Sequence, residues 1–129
     1  MNVKLSTKEK FVVLEVLEAN LSAIMSEPLS KIFQQIMGGI PPHLVLDLGI
    51  VKQIDEEIAF SVASWQSRFY ERQYSFVICS MREEVAQVFR SLDLFDNMNT
   101  TPTLSEAWDM VQMEEIEREL LNDFNDNEA

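Results

Sequence analysis

The amino-acid pattern predicts an α/β fold with a mixed β-sheet: an N-terminal hairpin, then βαβ units with helices packed against the sheet, and an extended C-terminal helix. Three observations carry that prediction. Short apolar runs at Leu44–Leu46 and within Ser75–Ser80 have the length of strands buried on both faces. Apolar residues recur at helical spacing in the segments between and after them. Upstream, the β-rich run Phe11–Ala19 follows a polar turn, Thr7–Lys10, which pairs it with a weaker strand at Asn2–Ser6. Strand–helix alternation then implies right-handed parallel crossovers, and the hairpin makes the sheet mixed.

Each element has a local cause. A helix is expected within Ser22–Met37, where Met25, Leu29, Ile32, Phe33 and Ile36 form one stripe. Pro28 must occupy its first turn, where a missing amide costs little, and Ser26 offers a cap. Gly38-Gly39 stops the helix, and Pro41-Pro42 stiffens the approach to Leu44. After that strand, Asp55 is the natural N-cap of a helix over about 57–73, with Ile58, Val62, Trp65 and Phe69 on one stripe. Arg82–Leu92 is a third helix, with Val85, Val88, Phe89 and Leu92 inward. A short extended piece covers Met98–Pro102. Thr103 and Glu106 form a capping box that opens the last helix.

That last helix changes face. Leu104, Ala107, Trp108 and Val111 cluster on one side of a wheel, while Met113, Ile116, Leu120 and Phe124 cluster almost opposite. Either the helix breaks near Gln112, or the second stripe faces a second subunit or a partner protein.

Charge and composition narrow the functional classes. The 129 residues carry a net charge of −12, which argues against nucleic acid and anionic membrane surfaces as partners, since both select basic patches. Residues 104–129 hold nine acids and one base, so most of the excess sits on the last quarter. The polar N-terminus has no apolar leader core, and no segment reads as a membrane insertion. A single cysteine, Cys79, forms no internal disulfide and fits a reducing cytoplasm, its side chain expected in the core.

Catalytic constellations are missing. The single His43 cannot build a metal cluster, so no metal and no cofactor is expected. No phosphate-binding loop or dinucleotide fingerprint is present. Asp55-Glu56-Glu57 is the one dense carboxylate group beside an element junction. Read from spacing alone, it is an N-cap followed by two acids favoured by the helix dipole. A paired-carboxylate hydrolase would need a cleft and a positioned partner that the sequence does not display. The expectation is a protein that is not an enzyme and has no catalytic residue.

The order of elements and particular residues resemble the STAS domain, the family of sulphate transporters and anti-sigma factor antagonists. Val45-Leu46-Asp47-Leu48 matches its strand ending in Asp/Asn-Leu. Ile54-Asp55-Glu56-Glu57-Ile58 stands where the family has hydrophobe-Asp-Ser-Ser-Gly, and Thr103-Leu104-Ser105-Glu106-Ala107 keeps the opening of its last helix. Leu94 is kept from a Thr-Gly-Leu, with Leu92 and Asp93 replacing the Thr-Gly. The resemblance runs from about Val3 to Val111. It implies a STAS-like domain over residues 1–111 and an acidic helical extension over 112–129.

In antagonist members the first Ser after the Asp is phosphorylated by a partner kinase that is also the anti-sigma factor, and phosphorylation releases that partner. Here Glu56 takes that place with no hydroxyl to modify. A phosphoserine carries about −1.5 to −2 charges against the single charge of a carboxylate, so Glu56 and Glu57 make a permanently charged approximation of the modified site. The resemblance therefore implies a non-enzymatic interaction domain, an anti-sigma factor antagonist-like regulator in the cytoplasm. Its protein partner would be of the anti-sigma factor or serine-kinase-like kind, bound through Asp55, Glu56, Glu57 and Ile58. Met113, Ile116, Leu120 and Phe124 form a secondary interface, which would serve a homodimer. Two alternatives stay open: an accessory subunit of a transport system binding a nucleotide or lipid, and a dimerising structural subunit.

Overall fold

The computed structural model describes the backbone of residues 1–128 and the side chains of residues 1–123. Among the described residues, seven strands and four α-helices follow one another: β1 (Val3–Thr7), β2 (Val12–Val16), β3 (Asn20–Leu21), α1 (Ser26–Met37), β4 (Leu44–Asp47), β5 (Gln53–Ile54), α2 (Glu56–Glu71), β6 (Phe76–Cys79), α3 (Glu83–Ser91), β7 (Thr100–Thr101) and α4 (Leu104–Glu128). The main sheet has the order β1-β2-β4-β6-β7. Its first pair is antiparallel and the rest are parallel, as the hairpin and crossovers predicted.

Register turns the strand alternation into two layers. Leu14, Leu46 and Ile78 pair across the sheet and belong with α1, α2 and α3 to the larger core. Val13, Val45 and Val77, one residue away, line the opposite face. There Ala107 and Val111 of α4 close a smaller core with Phe11 and Cys79. Successive side chains of a strand point to opposite faces, so these strands are apolar on both sides where they cross the core, with Glu15 of β2 and Asp47 of β4, paired across the sheet, as the polar exceptions. That is why β4 and β6 read as continuous runs.

Several details differ from the sequence expectation. β2 is shorter than Phe11–Ala19, and Asn20–Leu21 instead pairs in parallel with Gln53–Ile54 as a separate two-stranded sheet. Ser26 does not cap α1: it is that helix's first residue, behind a 3₁₀ turn at Ala23–Met25, while Pro28 does sit in the first turn. On α2 the buried stripe is Ile58, Val62, Gln66 and Phe69. Trp65 is half-buried and turned toward α1, its indole N–H donating to Ser30 Oγ at 3.1 Å. Buried Gln66 satisfies its amide on backbone, donating to the Phe76 and Asn99 carbonyls at 2.7 and 3.1 Å and accepting from the Asn99 amide at 3.2 Å.

α2 and α3 end in the same way. The Tyr74 amide donates to the Phe69 carbonyl and the Gln73 amide to Tyr70; the Leu94 amide donates to Phe89 and the Asp93 amide to Arg90. Both are Schellman closures, with Gln73 (φ 64°) and Asp93 (φ 58°) in the left-handed position that glycine prefers. Asp93 stands where the resemblance places the glycine of Thr-Gly-Leu.

α4 opens with the Glu106 amide donating to Thr103 Oγ1 at 3.2 Å, the hydroxyl half of the expected capping box. The helix does not break near Gln112; it runs unbroken from Leu104 to Glu128. Polar contacts hold it to the body past Val111. The Tyr70 hydroxyl donates to the Glu114 carboxylate at 2.9 Å, Arg118 Nη2 donates to Ser75 Oγ at 2.6 Å, and Lys10 pairs with Glu115 at 3.3 Å. Met113, Ile116 and Leu120 are 61%, 55% and 62% exposed on the outer side. Phe124, the fourth member of that stripe, lies outside the described side chains.

Candidate functional site

The junction between β4 and α2 lies at the carboxyl end of the parallel strands, and its loop is anchored before it reaches the acids. Leu48 and Val51 are fully buried, pinning the chain that leaves β4. The Gly49 amide donates to Asp47 Oδ1 at 2.9 Å, and Arg82 Nε donates to the Gly49 carbonyl at 3.0 Å. A Cβ at position 49 would stand 3.1 Å from Asp47 Oδ1 and 3.4 Å from Ser80 Cβ, so the tight turn favours glycine on grounds of space. The Lys52 and Gln53 amides then both donate to the Ala19 carbonyl, at 2.7 and 3.1 Å, and the Asp55 amide donates to Leu21 at 3.0 Å. The small β3–β5 sheet thus fixes where α2 starts.

Asp55 occupies the N-cap position with extended backbone (φ −73°, ψ 149°), as predicted, but its carboxylate does not cap its own helix. Oδ2 accepts the Ala23 amide at 2.8 Å instead. The β3–β5 pairing brings the first residue of the Ala23–Met25 turn within reach, so the carboxylate satisfies an orphan amide of that neighbouring segment. Glu56 and Glu57 follow as exposed residues in the first turn of α2, where a negative charge gains about 0.3–1 kcal/mol from the helix dipole. Among the described residues no Lys or Arg forms an ion pair with any of the three acids.

Ile58 corrects the predicted surface. It is 0% exposed and packs into the larger core, because the inward stripe of α2 begins with it. Ile58 therefore supports the junction from beneath and offers a partner nothing to touch. Two exposed apolar side chains that the sequence did not single out stand close by. Ile24, 85% exposed, follows the residue whose amide Asp55 holds; Phe60, 52% exposed, lies one helical turn after Glu56. Phe60's place off the apolar stripe of α2 was the readable signal. Ile24 carried none.

The groups with shifted titration lie elsewhere. His43 sits at the opposite end of the sheet, its Nδ1 accepting the Ser75 amide at 3.0 Å and its ring edge-on to Tyr74. Burial lowers its pKa, and the Arg118 charge lowers it further against an opposing pull from Glu115. Burial pushes the Cys79 thiol up to about 11, which leaves it protonated and poorly nucleophilic in the core. Burial, then the Glu114 carboxylate, also raises Tyr70.

The sequence model of the STAS domain matches residues 3–107, which takes in the whole sheet and the junction. The chain belongs to the STAS domain family. No curated protein matches it by sequence. Solved structures share the fold at low identity. An anti-sigma factor antagonist from Mycobacterium paratuberculosis is 18% identical, with 86% of this chain and 93% of that chain covered and a TM-score of 0.74. A serine-to-glutamate form of RsbS from Moorella thermoacetica is 18% identical, covering 87% and 96%, at a TM-score of 0.73. The anti-sigma factor antagonist SpoIIAA in its unphosphorylated form is 18% identical, covering 86% and 96%, at 0.69. Within this STAS domain, then, the acids at 55–57 occupy the start of α2, next to a loop held in place by the sheet. Among the described residues no helix is long and apolar enough to cross a membrane.

Proposed function

We propose that this STAS domain is a non-enzymatic interaction module of the anti-sigma factor antagonist kind, whose docking face is the start of α2. The observation that carries the reading is the exposure of Glu56 and Glu57 without ion-pair partners among the described residues, beside Asp55 held on Ala23. Glu56 stands where the resemblance places the phosphorylated serine, so charge is built in and the site is not switched by serine phosphorylation. Exposed Ile24 and Phe60 add the apolar contact area that an acidic cluster lacks. A STAS protein solved with glutamate in place of a serine keeps the same fold, which agrees with a fixed acid being tolerated in this family. The partner is a protein, of the anti-sigma factor or serine-kinase-like class, met in the cytoplasm.

The test compares wild type with Glu56→Ser and Glu56→Lys in pull-downs from the native host, followed by incubation of the captured partner with ATP. Wild type retains its partner and gains no phosphate; Glu56→Lys loses the partner, and Glu56→Ser becomes a kinase substrate. Phosphate on Ser61 or Ser64 of wild type with release of the partner would sink the proposal.

A small-ligand reading has one observation in its favour. A cleft of about 640 Å³ between the ends of α1 and α2 is lined by Gln34, Trp65, Arg68 and Arg72. It lies away from the acidic junction, whose carboxylates repel phosphates. Micromolar thermal stabilisation by a nucleotide, lost in Arg72→Ala, would move the assignment there.

A further inference from the structure

The main sheet ends at β7, and among the described residues no further strand pairs with that edge. The Asn99 carbonyl accepts the Ile78 amide of β6, and the Thr101 carbonyl accepts the amide of Ser80, the residue just after β6. By strand alternation Thr100, between them, turns its own amide and carbonyl away from β6, toward the free side. Depressions border the edge on both faces of the sheet. The larger one, a groove of about 620 Å³, runs between β7 and α4. Met110 and Met113 contribute its apolar part. Four carboxylates line it, on Glu106, Asp109, Glu114 and Glu117, and among the described residues no Lys or Arg does. Further along α4 the exposed Leu120 and Leu121 extend the apolar surface.

We propose that this groove docks an extended, cationic segment of a partner protein, which adds alongside β7. Its backbone would pair with Thr100, its basic side chains would meet the four acids, and its apolar side chains would rest on Met110 and Met113. Three features select that occupant. An unpaired edge takes a strand. A groove whose charged lining is acidic takes a basic one. Residues 104–129 of this chain carry nine acids and one base, so the same surface of a second copy would bring like charge against it. The site lies on the α4 side of the sheet, apart from the acidic start of α2, and does not depend on the function proposed for that end.

The full-length, isotope-labelled protein is titrated with a short synthetic peptide alternating lysine and valine, and with a control alternating glutamate and valine. The lysine peptide shifts the amides of Thr100, Thr101 and residues 110–117, while the glutamate peptide does not. Added salt weakens the binding steeply. Charge reversal in Glu106→Lys/Glu117→Lys weakens it by about tenfold or more, whereas Glu9→Lys in the distant hairpin turn changes it by about twofold or less. Asp109→Asn/Glu117→Gln, a milder pair, follows the same direction if the reversed pair folds poorly. Shifts located elsewhere, equal weakening by Glu9→Lys, or no binding would overturn the proposal. So would concentration-dependent self-association that perturbs the same amides, because it would assign the groove to a second copy.

Discussion

The two faces of the sheet are built by different means. On one, α1, α2 and α3 bury large side chains, and Phe76 packs edge-on against both Phe33 and Phe69 with ring centroids 5.2 and 5.0 Å apart. On the other, α4 contributes Ala107 and Val111 to a small cluster, and polar contacts hold it beyond them as far as Arg118. The first face holds most of the buried apolar side chains. The second fixes a helix in place with little burial, which leaves its outer side open to other molecules. One sheet thus separates the work of staying folded from the work of presenting a surface.

The largest effect should come from Phe76→Ala, which empties the centre of the aromatic group and costs about 3–5 kcal/mol in urea unfolding. Val111→Ala on the thin face removes two methyl groups and should cost about 2 kcal/mol. Equal losses for the two variants would erase the distinction between the faces. A smaller effect comes from acid. The folded pKa of His43 lies below its ordinary 6.5, so the unfolded chain takes up the proton first. The stability due to neutral His43 is complete above pH 6.5 and falls as pH drops from there through the lowered folded value. His43→Asn, which keeps an acceptor for the Ser75 amide, should lack that component, as urea midpoints across this range would reveal. Smallest, and opposite in sign, is Asp93→Gly: relieving a left-handed side-chain position at the end of α3 should raise stability by about 0.5–1 kcal/mol. No gain in midpoint would mean that Asp93 suits its turn as well as glycine does.

Much of this architecture was readable because single strong signals determine it. β4 up to Leu46 and the whole of β6 are apolar on both faces, and α1 and α3 carry clear stripes flanked by stops. What escaped the sequence depends on contacts between distant segments. β3 and β5 have two residues each, too few for any period, and exist because their backbones meet. Trp65 and Gln66 are neighbours on the wheel, and only the position of Ser30 and the open carbonyls of Phe76 and Asn99 decide which one turns in. At the candidate site the acids and their place at the start of α2 were legible. The bond from Asp55 to Ala23 was not, since it joins residues 32 positions apart. The fate of the second stripe on α4 was open for a similar reason. A continuous helix and a broken one present the same residues, and the ties at Glu114, Glu115 and Arg118 hold it against the body past Val111.

The Asp55–Ala23 bond bears on how mutagenesis of this region will read. Cutting back Asp55 strips one charge from the exposed rim and also removes the acceptor that holds the Ala23 amide, in the turn that leads into α1 and carries Ile24. An alanine scan would then score Asp55 as a hot spot even for a ligand that never contacts it. Asparagine, which retains the acceptor oxygen, is the substitution that separates touching from bracing.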